Sequence, residues 1–596
     1  MSKFSVFTQF FKGYGWTYLL GMVLLFAIDA LFLYVPSLTG QAVNTLYSNK
    51  EGLSLYIEIF LALAIVTFVF KFFSRRLLLG SIRRFEYLLR RTLFHHALAI
   101  PATYYEQHGP GKVMALMTND ITSLRVSLGL GLMILVDAIF FGVCAFIILV
   151  EHLSLDVAII MLLPVVLIVA AMLCVTKNMR HRQREAQNVY SDMTEFAQEL
   201  FKGMSLLRMY NKELLSRKRF QVENKRNYTC NMKVALLDSL LAPLTYIAPF
   251  SCLAITMYVC GSRIIAGTMN VGDFISITGY VMLIIGPLMS IGSLASVLQK
   301  GLASLDRVHA FLQIPEEEAG TSYDKEIVKT GNVTNFTNEA IDRLPLADIR
   351  IQHLTYTYPK AQQPSLMDVT YTISKGAFIG LVGAPGSGKT TLFKLLLQLR
   401  KPPANSIFIG DTDITKISLA VLRHSMAYIS SDALVMSTTM EENITMEEKT
   451  RNPLRLDESV KRSAITEDLQ YRFTNKKKKS IQEGGQNLSG GQRQRVHIAR
   501  GFYKEAPYLL LDDSISALDV GTASQVVDSL REGGQQTILF ISQRLEALRK
   551  ADCILVFKEG RLVEFGKEAE LVKANGEYAR IYAKQAKEGR GGVTIG

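Results

Sequence analysis

Six apolar runs, each long enough to cross a membrane as a helix, constrain this chain more than any other feature. The hydrocarbon core of a bilayer is about 30 Å thick and takes about 20 helical residues to span. The runs at 18–36, 55–73, 128–150, 157–175, 240–264 and 274–294 meet that requirement. Residues 4–11, ahead of the first run, are short and amphipathic and are expected to lie in the interface. Pro164, Pro243, Pro249 and Pro287 fall within runs, where neighbouring helices can satisfy the carbonyls that a proline frees. All six runs lie in the first half of the 596 residues, and the second half has the pattern of an α/β domain.

Charge orients the runs. Lys and Arg total 66 against 53 Asp and Glu, but much of the excess lies in loops beside apolar runs. Arg75, Arg76, Arg83, Arg84, Arg90 and Arg91 follow the second run, and Lys177, Arg180, Arg182 and Arg184 follow the fourth. That is a positive-inside bias, not a nucleic-acid footprint, so no nucleic-acid partner is implied. It places the amino terminus, both long loops and the second half on the cytoplasmic side of a cytoplasmic (inner or plasma) membrane. The two long loops have about 54 and about 64 residues, and connections of that length usually carry a function or fold of their own. Their helical pattern would extend roughly 40 Å beyond the bilayer at 1.5 Å per residue. Residues 101–111 interrupt the first and suit its tip. The six cysteines show no CxxC spacing, so neither a disulfide framework nor a zinc site is indicated.

Three acids sit in the runs: Asp29, Asp137 and, nearer an outer end, Glu58. A carboxylate in hydrocarbon is costly and should face a cavity or a partner group. Asp29 and Asp137 are therefore candidates for a substrate cavity that attracts cationic, amphipathic cargo. Hydrogen bonding to a neighbouring helix is the competing explanation.

In the second half, Gly383-Ala-Pro-Gly386-Ser387-Gly388-Lys389-Thr390 fits G-x-x-x-x-G-K-[ST], between an apolar strand pattern at 377–382 and a helix opening with Thr391. The glycines let backbone N–H groups wrap phosphates, Lys389 supplies charge, and Thr390 is suited to ligate Mg²⁺. Further on, a buried-strand pattern ends in Asp512, a second metal ligand. Between them stands Leu488-Ser489-Gly490-Gly491-Gln492.

A phosphate loop, LSGGQ about 100 residues later and an acid-ended strand some 20 residues after that resemble an ATP-binding-cassette ATPase. With six preceding runs and two long loops, the whole chain resembles a half-transporter of the ABC exporter family. Polar composition marks 313–346 as a linker and 587–596 as a disordered tail, and the resemblance implies an all-α transmembrane domain over 1–312 and an α/β P-loop ATPase with a helical subdomain over 347–586. It also implies a dimer that sandwiches ATP and Mg²⁺ between the phosphate loop of one chain and the LSGGQ of the other. The loop tips would act as coupling helices. By the same resemblance Tyr358 stacks on adenine, Asp519 belongs to the D-loop, and Glu483 precedes the signature. Residues 476–479 (all Lys) read as a solvated turn, and the Asn-x-Thr matches at Asn332 and Asn335 carry no meaning on the cytoplasmic side.

Three positions depart from the family. Asp513 stands where good hydrolysers carry Glu as catalytic base, Gln543 where the switch His would be, and Ser431 where the Q-loop has Gln. Withdrawing a base by about 1 Å costs on the order of 10²-fold, and glutamine has no titratable proton. The implied role is the degenerate subunit of a heterodimer. It would bind ATP at a weakly hydrolysing site and donate an intact signature to a second ABC half-transporter that has Glu and His. The implied cargo is a small hydrophobic or amphipathic compound of multidrug type. A nucleotide-gated regulatory subunit, or a homodimeric exporter or lipid flippase with slow turnover, are the rival readings.

Overall fold

A computed structural model describes residues 5–48, 53–317, 343–359, 361–446, 452–466, 481–532 and 536–590. Residue 4, Asn332, Asn335 and the lysine run 476–479 lie outside the described residues. The chain divides into two compact units: Met1–Leu98 with His108–Pro315, and Ala99–Gln107 with Glu316–Gly596.

The first unit is all helix. It contains α1 (Ser5–Ser48), α2 (Leu53–Ala99), the part of α3 (Ala102–Ala115) from His108 on, α4 (Ile121–Val126), α5 (Leu132–His152), α6 (Leu155–Lys202), α7 (Met204–Met209), α8 (Glu213–Ile265) and α9 (Val271–Leu312). Short π-helical turns, Leu116–Asp120 and Ser127–Gly131, join α4 and α5 to the part of α3 that follows Gly109, whose φ of 67° breaks the helix. Among the described residues, five helices are long and apolar enough to cross a membrane, and the sixth apolar stretch, Val271–Pro287, opens α9. Helices of 42 to 53 residues reach about 60–80 Å at 1.5 Å per residue, roughly twice the hydrocarbon thickness. Pro164, Pro243, Pro249 and Pro287 are all absorbed within these helices.

The expected separate interfacial helix at 4–11 is not seen, because α1 runs unbroken from Ser5 through Gly13 and Gly15. Tertiary contacts support that stretch: Thr17 Oγ1 lies 3.0 Å from Ser81 Oγ, and Arg84 stacks 5.1 Å over the Tyr14 ring. Helices α1 and α9 meet through glycine. A Cβ on Gly272 would fall 2.1 Å from the Gly40 carbonyl, and the Gly272 N–H donates to Asn44 Oδ1 at 2.9 Å. Two buried carboxylates, each paired with arginine, brace the same unit. Asp120 accepts from Ser304 (2.8 Å) and Arg307, and Glu86 is ringed by Arg83, Arg90 and Arg125. Those arginines and the burial of Glu86 oppose one another, and the arginines win: its carboxyl is held below the usual range.

The second unit is α/β. A six-stranded sheet, ordered β10-β9-β3-β8-β7-β6, consists of β3 (Phe378–Gly383), β6 (Met426–Ile429), β7 (Tyr508–Asp512), β8 (Thr537–Ile541), β9 (Cys553–Lys558) and β10 (Arg561–Gly566). Only the β9–β10 pair is antiparallel. Strands β7 and β8 are buried along their whole length, as a parallel sheet covered on both faces requires. A smaller antiparallel sheet contains β1 (Ile349–Tyr356), β2 (Leu366–Ile373), β4 (Ile407–Ile409) and β5 (Thr412–Asp413).

The helices of this unit are α10 (Lys389–Leu396), α11 (Leu419–Ser425), α12 (Met440–Thr445), α13 (Pro453–Arg462), α14 (Gly490–Tyr503), α15 (Val520–Glu532), α16 (Leu545–Leu548), α17 (Glu568–Lys573) and α18 (Glu577–Arg590). Helices α12, α13 and α14 share a separate core of Met440, Ile444, Val460, Val496 and Tyr503, which is the helical subdomain. The tail is helical as far as Arg590, so the stretch 587–590 is not the structureless segment the sequence suggests. Residues 343–346, read as linker, already dock on the unit: Arg343 donates to the Lys504 and Glu505 carbonyls, and Leu344 N to Ser425 Oγ.

Candidate nucleotide site

The phosphate loop connects β3 to α10. Gly386 and Gly388 hold φ of 83° and 100°, a region that costs most side chains dearly. A Cβ on Gly388 would also come within 2.5 Å of the Ser365 carbonyl. The loop closes around Lys389, which is buried and donates from Nζ to Gly383 O (2.8 Å), Ala384 O (2.9 Å) and Ser387 Oγ (3.0 Å). Burial lowers the Lys389 pKa against the pull of Asp512 and Asp513. Thr391, one turn into α10, is buried and meets the Tyr358 hydroxyl at 3.3 Å.

The candidate metal position presents hard oxygen atoms. Thr390 Oγ1 donates to Asp512 Oδ1 at 3.1 Å, and Tyr428 OH donates to Asp512 Oδ2 at 3.2 Å. An alcohol and a carboxylate in contact beside a phosphate loop suit Mg²⁺, which takes a few protein oxygens and leaves the rest to phosphate and water. Burial raises the Asp512 pKa, and the Thr390 and Tyr428 hydrogen bonds oppose it.

Two of the three departing residues gather at the same place. Asp513 follows Asp512 in a left-handed conformation, φ 48°, with its N–H on Ile541 O at 2.9 Å. Burial raises its carboxyl pKa, while a backbone hydrogen bond from Gln543 and the charge of Lys389 lower it. Gln543 is exposed at the end of β8, and Ser431 is exposed in the turn after β6, the strand whose Tyr428 bonds Asp512.

The signature opens α14 as an N-cap. Ser489 Oγ accepts from Gln492 N at 3.2 Å, and Gln492 Oε1 accepts from Ser489 N at 3.0 Å, a reciprocal capping box. Leu488 is buried beneath it, whereas Ser489 and Gly490 are exposed. Gly491 packs so closely that a Cβ would lie 3.2 Å from Ala517 O. The D-loop is held from both sides: Gln494 bridges Ser516 and Ala517, and Arg544 donates to Ser516 O and Leu518 O. Asp519 then accepts from Thr522 N at 2.9 Å, and that bond lowers its pKa. Glu483 lies in a short 3₁₀ turn ahead of the signature.

Tyr428, Gln494 and Arg544 are site residues that sequence reading missed. Gln494 and Arg544 lie within a few residues of motifs that were read, but their roles depend on contacts with distant segments.

Asp29 and Asp137 come together between α1 and α5, close enough to interact electrostatically with each other and with Lys71. Asp29 is buried and Asp137 half-buried, and Asp29 Oδ2 and Asp137 Oδ1 have no hydrogen-bond partner among the described residues. Glu58 is not among the groups interacting with either of them.

Residues 18–288 match the ABC transporter transmembrane region and 366–516 match the ABC transporter ATPase. The chain is 30% identical over 592 residues, 98% of each protein, to the probable multidrug resistance ABC transporter ATP-binding/permease protein YheI of Bacillus subtilis (strain 168). It is 27% identical to the ATP-dependent lipid A-core flippase of Aromatoleum aromaticum, over 87% of this chain and 82% of that one. Its fold matches the ATP-bound structure of a bacterial Atm1-family ABC exporter with a TM-score of 0.76 at 20% identity, covering 95% of this chain and 97% of that one. The chain belongs to the ABC transporters, as an exporter-type half-transporter whose helical membrane domain is fused to one ABC ATPase domain.

Proposed function

We propose that this chain is the degenerate subunit of a heterodimeric exporter in the cytoplasmic membrane, with its ATPase domain and amino terminus in the cytoplasm. The observation that carries the reading is a mismatch within one ATPase domain. Asp513, Gln543 and Ser431 replace the hydrolytic side chains on one side, while the signature helix is capped, exposed and intact on the other.

In this reading Tyr358 stacks on adenine, and the loop from Gly383 through Gly388, with Ser387, Lys389 and Thr391, holds the phosphates. Thr390 and Asp512 hold Mg²⁺, which neutralises phosphate charge when bound. Asp513 is too short to orient water well, and Gln543 fixes phosphate without moving a proton. Leu488, Ser489, Gly490, Gly491 and Gln492 complete the site of a companion half-transporter that has Glu and His, and Asp519 lies in the D-loop facing that companion.

Dimerisation draws support from the second loop. Leu206, Met209, Tyr210 and Leu214, in and after α7, are all more than half exposed, which suits a tip that docks elsewhere in an assembly. The cargo is a hydrophobic or amphipathic compound, in keeping with multidrug and lipid-flipping relatives. The neighbouring Asp29 and Asp137 favour a cationic one, because one buried and one half-buried carboxyl, each with an unpartnered oxygen, attract positive charge.

Sealed inside-out vesicles containing this chain and its companion should accumulate a lipophilic cationic dye when given Mg-ATP. Asp29→Asn with Asp137→Asn should slow uptake of that dye more than uptake of a neutral one. ATP-dependent gating without any dye accumulation would point to a regulatory subunit and contradict the exporter reading.

A further inference from the structure

The segment Ala99–Gln107, which interrupts the first long loop, belongs to the same compact unit as the ATPase. Ala99 O accepts from Glu317 N at 2.8 Å, and Glu317 takes two hydrogen bonds of 2.8 Å from Arg423. Glu106 makes the contact that bears on the nucleotide. Its carboxylate pairs with Arg400 and lies 3.5 Å from Lys394 Nζ. Arg400 is the more buried partner, with a side chain 13% exposed against 46% for Glu106.

The Arg400 guanidinium lies 5.3 Å over the ring of Tyr358. That ring also meets Tyr356 edge-on at 5.2 Å, and its hydroxyl meets Thr391 on α10. The Tyr358 ring is thus held by a cation, an aromatic edge and the phosphate-loop helix. Of these, only the cation is anchored from outside the ATPase sequence, by a residue 294 positions away. A guanidinium over an aromatic face is an oriented contact, and it keeps its place only while its charge is satisfied.

We propose that Glu106 is a positioning residue for the nucleotide base: it fixes Arg400 over Tyr358 and so ties the loop tip to adenine binding. The inference rests on the reading of Tyr358 as the adenine-stacking ring. Through this contact, displacement of the tip frees Arg400 and loosens the ring, and a bound base favours the docked tip.

The test uses the full chain in lipid nanodiscs. Affinities for ATP and for inorganic tripolyphosphate, which has no base, are measured in Mg²⁺. Glu106→Gln should weaken ATP about three- to fivefold, the range of one cation–π or half-exposed ion-pair contact, and leave tripolyphosphate within about twofold. Tyr358→Leu should weaken ATP about tenfold, as loss of base stacking does. Pairing Glu106→Arg with Arg400→Glu restores an ion pair but leaves no cation over Tyr358, so it should not recover the ATP affinity. If Tyr358→Leu weakens ATP and Glu106→Gln does not, the role of Glu106 is wrong and the base-stacking reading stands. Equal losses for ATP and tripolyphosphate in Glu106→Gln would overturn the inference by showing a general structural effect. If Tyr358→Leu leaves ATP affinity unchanged, the stacking reading fails and the inference with it.

Discussion

Placing arginine at Ser489 should stop ATP hydrolysis by the heterodimer, cutting turnover at least about 10²-fold, the usual loss when a preorganised phosphate-stabilising contact is removed. Nucleotide should still bind the phosphate loop of this same chain. Ser489 and Gly490 stand exposed at the N-terminus of α14, where backbone N–H groups and the helix dipole favour a phosphate. The hydroxyl also caps its own helix through Gln492 N, so arginine removes a cap worth about 1 kcal/mol. Ser489→Asp separates the two effects. It retains a capping oxygen but sets a negative charge against the partner's phosphate, and it should lose turnover as fully as arginine does. If turnover by the pair survives either substitution within a few-fold, the signature is not serving the companion site.

The second large effect is a gain. Asp513→Glu, Gln543→His and Ser431→Gln together should raise the turnover of two copies of this chain by on the order of 10²-fold, mostly through the first change, because placement of the base within about 1 Å governs its efficiency. The framework is already in place for it. Asp513 is held by its N–H on Ile541 O and by the backbone of Gln543, and Thr390 and Tyr428 fix the neighbouring Asp512. What is lacking is the reach of Asp513 and Ser431 and a titratable proton at Gln543. On the degenerate-subunit account, the same three changes should leave transport by the heterodimer near its starting rate, since there the companion site carries the hydrolysis. Steady-state phosphate release by the chain alone reads the first outcome and dye uptake by vesicles of the pair reads the second, and no gain in the chain alone would mean that something other than these residues limits it.

Much of the site was legible because its chemistry is local. Gly386, Gly388, Lys389 and Thr390 lie within a few residues of one another, and the positive φ of the glycines follows from their lacking a Cβ. The LSGGQ cap is equally local, since Ser489 and Gln492 bond each other across one turn. Long-range contacts were not legible. Tyr428 and Asp512 are 84 residues apart, and Arg400 and Glu106 are 294, and periodicity has no term for such pairs.

The membrane half divides the same way. Apolar runs reveal the helices, yet the amphipathic stretch at 4–11, expected as a separate interfacial helix, continues from Ser5 into α1, whose first turns contact α2. Local preference is a weak prior where packing opposes it. The meeting of Asp29 with Asp137 likewise depends on how α1 packs against α5, although each acid was conspicuous on its own.

The most direct test of the degenerate-subunit account is ATP turnover per complex at saturating Mg-ATP, measured for this chain alone and for the chain purified with its companion half-transporter. The account predicts that appreciable turnover appears only in the pair. Comparable turnover by the chain alone would contradict it, by showing that Asp513 is a sufficient base and that no companion is needed.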